Sequence, residues 1–298
     1  MALLAGDAAS PGWMRIAGIA GAPSLLGIVT WCALTIAGPT ARCPVGLTSL
    51  GSRCCGEGQR VDSEGRCTGE PHRCSHGLRL TPAGCIGEND QVSLAGGLLR
   101  LAPSDWEAQG TVRSYEAWVP GFHLDRLEVN EARYTQCVLA GSCPQLPLRG
   151  EPGIPVTSIT LDEAQKFCHF AGGALPSREQ FVLAASGLSG RRYPWGDTGA
   201  VCRRASYGLR DGPCARGTSG PELTGARPDG ASPEGVLDLA GNVAEWTIVT
   251  GASTSAGHVV GGSWMDESAT ALRTWHVRSV EATTRSDDIG FRCAYAAR

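Results

Sequence analysis

Lysine is almost absent from this chain, because Lys166 is the only lysine among its 26 basic residues. The formal net charge is −3. Proteins that bind nucleic acid through its phosphates usually present a basic face, so a nucleic-acid partner is not expected. Genome base composition explains the excess of arginine better than a binding face does. The 41 glycines favour a loop-rich fold over a helical one.

Cysteine spacing of the zinc-site kind is also lacking, since no two of the 13 cysteines stand three positions apart. Six cysteines fall within residues 43–85, a segment with almost no apolar periodicity that cannot form a core unaided. Three disulfides would hold this segment, with a connectivity that the sequence leaves open, and a zinc site is the rival interpretation. So many cysteines indicate disulfides and an oxidising compartment.

Charge is missing from residues 16–41, which form the longest apolar run of the chain. The central 16–38 would span roughly 34 Å as a helix, enough for a bilayer core of about 30 Å. Residues 15–41 are therefore predicted to be a transmembrane anchor. Alternatively, if translation begins at Met14, they form a signal peptide cleaved near residues 39–41.

These boundaries divide the chain into four predicted parts. A short N-terminal tail covers residues 1–14, the hydrophobic segment covers 15–41, a cysteine-rich module covers 42–90, and the main domain covers 91–298. The body is expected to be extracytoplasmic, either anchored to the membrane through the hydrophobic segment or secreted.

Local patterns predict several elements of the main domain. A strand is expected over 118–124, and a helix near 131–140 with Asn130 as its N-cap. Two capping boxes open further helices: Thr160 with Glu163, and Ser177 with Gln180, the latter starting a helix over 178–186.

The most distinctive stretch runs from Gly235 to Trp246, where an apolar strand enters a Gly241–Asn242 turn followed by Glu245 and Trp246. Glycine and asparagine both tolerate the positive φ of such a turn. Two interpretations are open. The turn offers carbonyl and carboxylate oxygens to Ca²⁺, or Trp246 packs the loop and a hydrogen bond from Glu245 pins it.

Six segments in order resemble the formylglycine-generating enzymes, also called the sulfatase-modifying factor family. The resemblance runs from near Val92 to the C terminus. The segments are FHLDRLEVNEARYTQCV (122–138), IPVTSITLDEAQKFCHFAGGALPSREQFVLAAS (154–186), YPWGD (193–197), DLAGNVAEW (238–246), GGSW (261–264) and GFRC (290–293). This resemblance implies an α+β fold of the C-type-lectin-like formylglycine-generating-enzyme type, rich in loops and here preceded by a small disulfide-rich module.

Three disulfides are expected in the main domain. Cys137 and Cys143 flank a short turn, and Cys202 and Cys214 would close part of the long loop 187–236. The remaining pair, Cys168 with Cys293, matches a disulfide of the family. Cys32 is then left over in the hydrophobic segment.

The family oxidises a substrate cysteine to formylglycine with O₂ and a copper ion, which two cysteines just after the GGS motif hold. Here Asp266 and Ala271 occupy those two positions. Soft thiolates select Cu(I), whereas a carboxylate is a hard ligand and alanine is none, so copper is not expected. Nonheme iron needs a triad of two histidines and a carboxylate, and His258, Asp266 and His276 follow no such pattern.

Other positions carry over from the resemblance. Ser263, Trp246 and His276 are candidates for the active cleft. For one Ca²⁺ ion the family motif implies the Glu245 carboxylate and three carbonyls, those of Ala240, Gly241 and Val243. A second Ca²⁺ site would involve residues 204–207, where the family's asparagine is missing.

Three functions compete. The first is a binding or scaffolding protein without oxidase activity, whose cleft takes a peptide or a glycan. The second is an active metal-dependent enzyme of the wider family, acting on a protein or a small molecule. The third is a purely structural surface domain.

Overall fold

The computed structural model describes residues 47–50, 53–56, 58–63, 67–69, 72, 78–81, 84–88, 90–102, 112–248 and 256–297. Within these ranges no helix is long and apolar enough to cross a membrane. The prediction of membrane attachment through residues 15–41 is corrected accordingly, because the structure gives it no support. Residues 1–14 and 15–41 themselves lie outside the described residues.

The cysteine-rich module consists of short antiparallel strand pairs, β1 with β2, β3 with β4 and β5 with β6. Their bounds are β1 (Leu47–Leu50), β2 (Arg53–Gly56), β3 (Arg60–Val61), β4 (Cys67–Thr68), β5 (Leu78–Thr81) and β6 (Gly84–Gly87). A disulfide between Cys55 and Cys67 ties β2 to β4. Two of the six cysteines in this segment are therefore cross-linked rather than available to zinc.

The main domain opens with four strands that form two antiparallel pairings, β7 with β10 and β8 with β9. These are β7 (Gln91–Leu94), β8 (Gly97–Leu101), β9 (Tyr115–Val119) and β10 (Phe122–Asp125). The single strand predicted over 118–124 is wrong, because Pro120 and Gly121 separate two strands. Gly96 allows the backbone between these two strands to pass close to it, since a Cβ there would lie 2.4 Å from the Val119 carbonyl oxygen.

Three helices follow, and the capping signals locate each of their N termini. They are α1 (Glu131–Leu139), α2 (Leu161–Phe170) and α3 (Arg178–Ser186). The Asn130 side chain accepts a hydrogen bond from the amide of Arg133 at 3.0 Å. Both predicted capping boxes are present, with Thr160 opening α2 and Ser177 opening α3. The three helix predictions are confirmed.

The C-terminal part builds a second sheet and completes the first. Its strands are β11 (Ala244–Thr247), β12 (Ala256–Val260), β13 (Val277–Glu281), β14 (Ile289–Gly290) and β15 (Ala294–Ala296). The second sheet has the order β13-β12-β11-β14, in which only β11 and β14 run parallel. The last strand, β15, pairs with β10. The apolar strand expected before the Gly241–Asn242 turn is absent, and β11 follows the turn instead.

Three clusters of buried side chains make up the core. The first contains side chains from the four strands β7, β8, β9 and β10 and from α3. The second surrounds Trp246, Phe167 and Phe291 between the helices and the second sheet. The third is built almost wholly from loops around Tyr193, Leu209 and Trp264. Long loops thus acquire a core of their own, which orders the region next to the GGS turn.

Three disulfides cross-link the main domain, and they are the pairings expected from the sequence. Cys137 bonds to Cys143 and Cys202 to Cys214, each closing a short loop. Cys168 in α2 bonds to Cys293 just before β15, across a sequence separation of 125 residues. The last bridge joins an early helix to the end of the chain.

Loop-closure entropy predicts unequal contributions from these bridges. Replacing Cys168 and Cys293 together with alanine should lower the free energy of unfolding by about 5 kcal/mol, because the loop is long. The disulfide between Cys137 and Cys143 closes a separation of only 6 residues. The matched double replacement of these two cysteines should therefore lower the free energy of unfolding by only about 2 kcal/mol. Denaturant unfolding of both variants checks this order. Equal losses would contradict the entropic explanation.

Candidate functional site around the GGS turn

The turn after β12 places Ser263 next to Asp266 and close to the segment that carries Ala271. Gly261 and Gly262 adopt φ values of +90° and +69°, a region that side chains with a Cβ avoid. A Cβ on Gly262 would lie 2.7 Å from the carbonyl oxygen of Ala271. The turn therefore requires glycine, and it holds Ser263 against the segment that carries Ala271.

The side chain of Asp266 closes this turn by accepting hydrogen bonds from Ser263. Its Oδ2 accepts hydrogen bonds from the Ser263 amide at 2.7 Å and from the Ser263 hydroxyl at 2.9 Å. The amide of Met265 donates to the same hydroxyl oxygen at 3.3 Å. A carboxylate at one of the family's cysteine positions thus acts as a hydrogen-bond acceptor that fixes the turn.

Asp288 is a site residue that the sequence did not reveal. It is buried, and its Oδ2 lies 3.3 Å from the Ser263 hydroxyl and 2.8 Å from Nη2 of Arg278. The Ser286 hydroxyl donates to its other oxygen. The only sequence signal was its position just before the GFRC strand. Ser263 therefore lies between two carboxylates, one of them neutralised by an arginine.

His276 lies at the exposed side of this cluster, with its amide bonded to the Arg273 carbonyl at 2.8 Å. Loss of solvation lowers the pKa of the His276 imidazole. The charge of Asp266 acts against this, whereas Arg278 and Arg273 lower the pKa further. The surroundings thus favour the neutral form of the imidazole.

Trp264 forms the floor beneath the turn. Its amide donates to the Asn242 carbonyl at 2.8 Å and its indole Nε1 to the Asp287 carbonyl at 3.1 Å. The amide of Leu209 donates to its carbonyl at 3.0 Å, and the Arg210 guanidinium lies 5.3 Å above its ring. The GGS turn, the Gly-Asn turn and the loop closed by Cys202 and Cys214 are thereby joined.

Trp246 does not belong to this site. The ring is fully buried in the second core cluster, and its Nε1 donates to the Ile159 carbonyl at 2.9 Å. The prediction that it faces the cleft is wrong. Successive side chains of a strand point to opposite faces, so Trp246 turns to the core while its neighbour Glu245 turns the other way.

The donors present do not fit copper. Ala271 supplies no ligand, and Asp266 is occupied by Ser263. Every cysteine from Cys137 to Cys293 is in a disulfide, so none offers a thiolate. Over the described ranges no group of three or more histidine, cysteine or acidic side chains could hold a metal ion, and the triad of His258, Asp266 and His276 is therefore not assembled.

Glu245 does not fit a calcium site either. Its oxygens accept from Nε and Nη2 of Arg292, both at 2.7 Å, in a fully buried ion pair. A divalent cation on this carboxylate would have to share it with a guanidinium. Calcium binding through the carbonyls of Ala240, Gly241 and Val243 stays a prediction.

The stretch corresponding to the second calcium site shows a similar arrangement. The Ser206 hydroxyl donates to Glu222, whose carboxylate accepts from Arg227 Nε at 2.8 Å and Nη2 at 2.7 Å. Arg216 approaches the same carboxylate at 3.2 Å. Here too a guanidinium supplies the positive charge.

Glu128 supports the Gly-Asn turn from the core, a role that the sequence did not suggest. It accepts from Asn242 Nδ2 at 2.7 Å and from the Val243 amide at 3.2 Å. Burial raises the pKa of the Glu128 carboxyl well above its usual value, and the nearby charges of Asp238 and Glu245 raise it further. The hydrogen bond from Asn242 opposes this shift.

A family model described as the sulfatase-modifying factor enzyme 1-like domain matches residues 82–297. The chain belongs to this family. It is 33% identical over 170 residues to the inactive C-alpha-formylglycine-generating enzyme 2 of Mus musculus. This match covers 52% of this chain and 53% of the relative. It is 30% identical over 173 residues to the formylglycine-generating enzyme of Streptomyces coelicolor, covering 49% and 54%.

Two further matches place the fold. A hercynine oxygenase of Mycolicibacterium thermoresistibile is 37% identical over 101 residues, covering 32% of this chain and 21% of that protein. The structure of PvdO from Pseudomonas aeruginosa superposes with a TM-score of 0.56 at 17% identity, covering 72% and 95%. The loop-rich α+β fold of the formylglycine-generating type is confirmed. The chain spans about half the length of the two formylglycine-generating-enzyme relatives, and a smaller share of the hercynine oxygenase.

The raised pKa of Glu128 gives a pH dependence with a defined sign. A protonated carboxyl stabilises the folded state below the ordinary value of 4.5, and this contribution is lost as the pH rises through the raised folded value. Glu128→Gln mimics the neutral acid, so its free energy of unfolding relative to the unmodified protein should increase from about pH 5 to pH 8. Chemical denaturation across this range measures the difference. Glu267→Gln, at an exposed carboxylate, is the control and should follow the unmodified protein. A difference independent of pH would contradict a raised pKa.

The electrostatic coupling of the cluster can be measured at His276. Asp266→Asn should lower the pKa of the His276 imidazole further, because it removes the charge that raises it. Arg278→Gln should raise the same pKa. NMR titration of the imidazole reads both shifts. Shifts of the same sign in the two variants would show that the ring is not placed between these charges.

Proposed function

We propose that this protein is a binding or scaffolding member of the family, without cysteine-oxidase activity, that acts outside the cytoplasm. One observation carries the proposal. The Asp266 carboxylate accepts hydrogen bonds from the Ser263 amide and hydroxyl at 2.7 and 2.9 Å, and by the resemblance Asp266 and Ala271 stand where the family holds copper. Cu(I) selects thiolates, and these two side chains offer none.

The relatives support this proposal from another direction. The printed name of the Mus musculus relative describes it as inactive, whereas the Streptomyces coelicolor relative is named as a formylglycine-generating enzyme. Family membership alone therefore does not imply catalysis. The donor set decides between the two cases, and in this chain it favours the inactive one.

Disulfides support the extracytoplasmic assignment. Four are present in the described residues, including the long-range bridge between Cys168 and Cys293. Structural disulfides persist in oxidising compartments and are rare in the cytosol. The proposed location is the periplasm or the cell surface.

The ligand we assign to the site is a peptide or a glycan. Around Ser263 the site offers the carboxylate of Asp266, the imidazole of His276 and the guanidinium of Arg278. The apolar Met265 is exposed beside them. Donors, acceptors and an apolar side chain at one place suit a polar polymer better than a small apolar molecule.

The oxidase assay tests the proposal. The purified protein is incubated with copper, O₂ and a peptide that carries the sequence Cys-x-Pro-x-Arg, and the peptide is analysed by mass spectrometry. We expect no aldehyde and no Cu(I) retained against a chelator, because thiolate ligands are missing. The Streptomyces coelicolor enzyme, as its name describes it, is the positive control.

A gain-of-function variant sharpens this test. Asp266→Cys combined with Ala271→Cys restores both thiols, and we expect this variant to retain Cu(I) that the unmodified protein does not. Aldehyde formed by the unmodified protein in step with bound Cu(I) would overturn the proposal. Stoichiometric copper or iron in the purified protein would favour the alternative of an active metal-dependent enzyme.

A further inference from the structure

The exposed face of the β8–β9 hairpin carries an unusual set of side chains. Leu98 and Trp118 are directly opposite each other in the register, as are Arg100 and Glu116. All four are exposed, whereas Leu99, Leu101 and Val119 turn to the core. We call this set of four residues the Trp118 face.

Trp118 is the dominant member of this face. It is 73% exposed, and its cross-strand neighbour Leu98 is 38% exposed. Among the large apolar side chains of the described residues, only Leu139 is more exposed, at 82%. A tryptophan in water leaves a large apolar ring uncovered, and tryptophan is enriched at interfaces because its ring is apolar and its N–H is polar.

The polar half of the face is only partly satisfied. Arg100 and Glu116 are joined by one hydrogen bond, from Nε to Oε1 at 2.9 Å, with side chains 68% and 60% exposed. Within the described part of the chain, the two Nη atoms of Arg100 and Oε2 of Glu116 have no other partner. Three polar atoms of this ion pair are therefore available to a ligand beside the indole.

The spacing of the two halves suits a sugar ring. Residues two apart on a strand stand roughly 7 Å from each other on the same face, so the ion pair begins about one ring length from the indole. A pyranose presents one apolar C–H face, which stacks on an aromatic ring, and equatorial hydroxyls, which both donate and accept. The guanidinium donates to such hydroxyls, and the carboxylate accepts from them.

We propose that the Trp118 face is a binding site for a neutral pyranose glycan, separate from the site around the GGS turn. The indole stacks on one sugar ring, and Arg100 and Glu116 hydrogen-bond to hydroxyls of the same ring or the next. Neutrality follows from the charges, because the arginine and the glutamate cancel and a charged sugar would meet one like charge.

The other classes of ligand fit this face less well. Single-stranded nucleic acid also stacks on aromatic rings, but it requires a positive groove, and Glu116 offsets the charge of Arg100 on this surface. An interface with another protein would need a larger apolar area than one indole and one leucine. The glycan is the occupant that uses both halves of the face.

Titration calorimetry of the full chain with neutral oligosaccharides tests the proposal. The probes are linear hexamers of β-linked glucose and of β-linked N-acetylglucosamine, with polygalacturonate as the anionic comparison. We expect one of the neutral hexamers to bind and polygalacturonate not to bind. Trp118→Ala should weaken binding about tenfold, because the stacking contact is lost, and Trp118→Phe should retain most of it.

Two controls separate a binding role from a structural one. Trp118→Ala should keep the melting temperature, since the side chain is largely in water. Leu139→Ala, at another exposed apolar side chain, should bind like the unmodified protein. The oxidase assay does not involve this face, so the two proposals fail independently.

Three results would overturn the proposal. The first is that neither neutral hexamer binds. The second is that Trp118→Ala binds as tightly as the unmodified protein. The third is that light scattering shows a dimer which Trp118→Ala dissociates, because the face would then be an interface between copies of the chain.

Discussion

The buried guanidinium of Arg292 is the interaction on which the main domain depends. It makes five hydrogen bonds, two to Glu245 and one each to the carbonyls of Leu237, Asp125 and Arg126. An arginine has five N–H donors, so each of them is satisfied. These acceptors belong to the end of β10, to β11 and to the loop that precedes β11, so one side chain joins three separate parts of the chain.

Burying this charge has a cost that the surrounding structure offsets. Desolvation opposes the charged form of Arg292, and the adjacent Glu245 restores it, so the pKa of the guanidinium is raised. A lone buried charge costs several kcal/mol, whereas a bidentate pair with every donor satisfied is tolerated. The neighbouring bridge from Cys293 to Cys168 fixes the backbone at the same point. Covalent and electrostatic constraints therefore coincide at the end of the chain.

Local signals in the sequence predicted the three helices. They did not predict the contacts between residues that are distant in the chain. Caps such as Asn130 and Thr160 act within one helical turn, and the positive φ of Asn242 follows from its own short side chain. Glu128 and Asn242 are 114 residues apart, so no local pattern could pair them. Arg292 in GFRC and Glu245 in DLAGNVAEW were both within recognised segments, but a motif does not state which partner its carboxylate has.

The same limit applied to the candidate site. The resemblance pointed to the GGS turn and to the two positions where this chain has no thiol, because residue identities alone are enough to find them. It did not reveal that Asp288 shares the Ser263 hydroxyl, or that Trp246 faces the core. Both facts depend on which face of a strand a side chain occupies, and the strand bounds near residue 244 were not predictable from the apolar run before the turn.

The GGS turn owes its conformation to groups of the chain itself. Two glycines adopt positive φ, the Ala271 carbonyl packs against Gly262, and the Asp266 side chain accepts hydrogen bonds from the turn. At Glu245 and Glu222, arginines supply the positive charge that a cation would otherwise bring. Internal charges and hydrogen bonds therefore hold these turns in place, and the order of this region follows from the chain's own side chains.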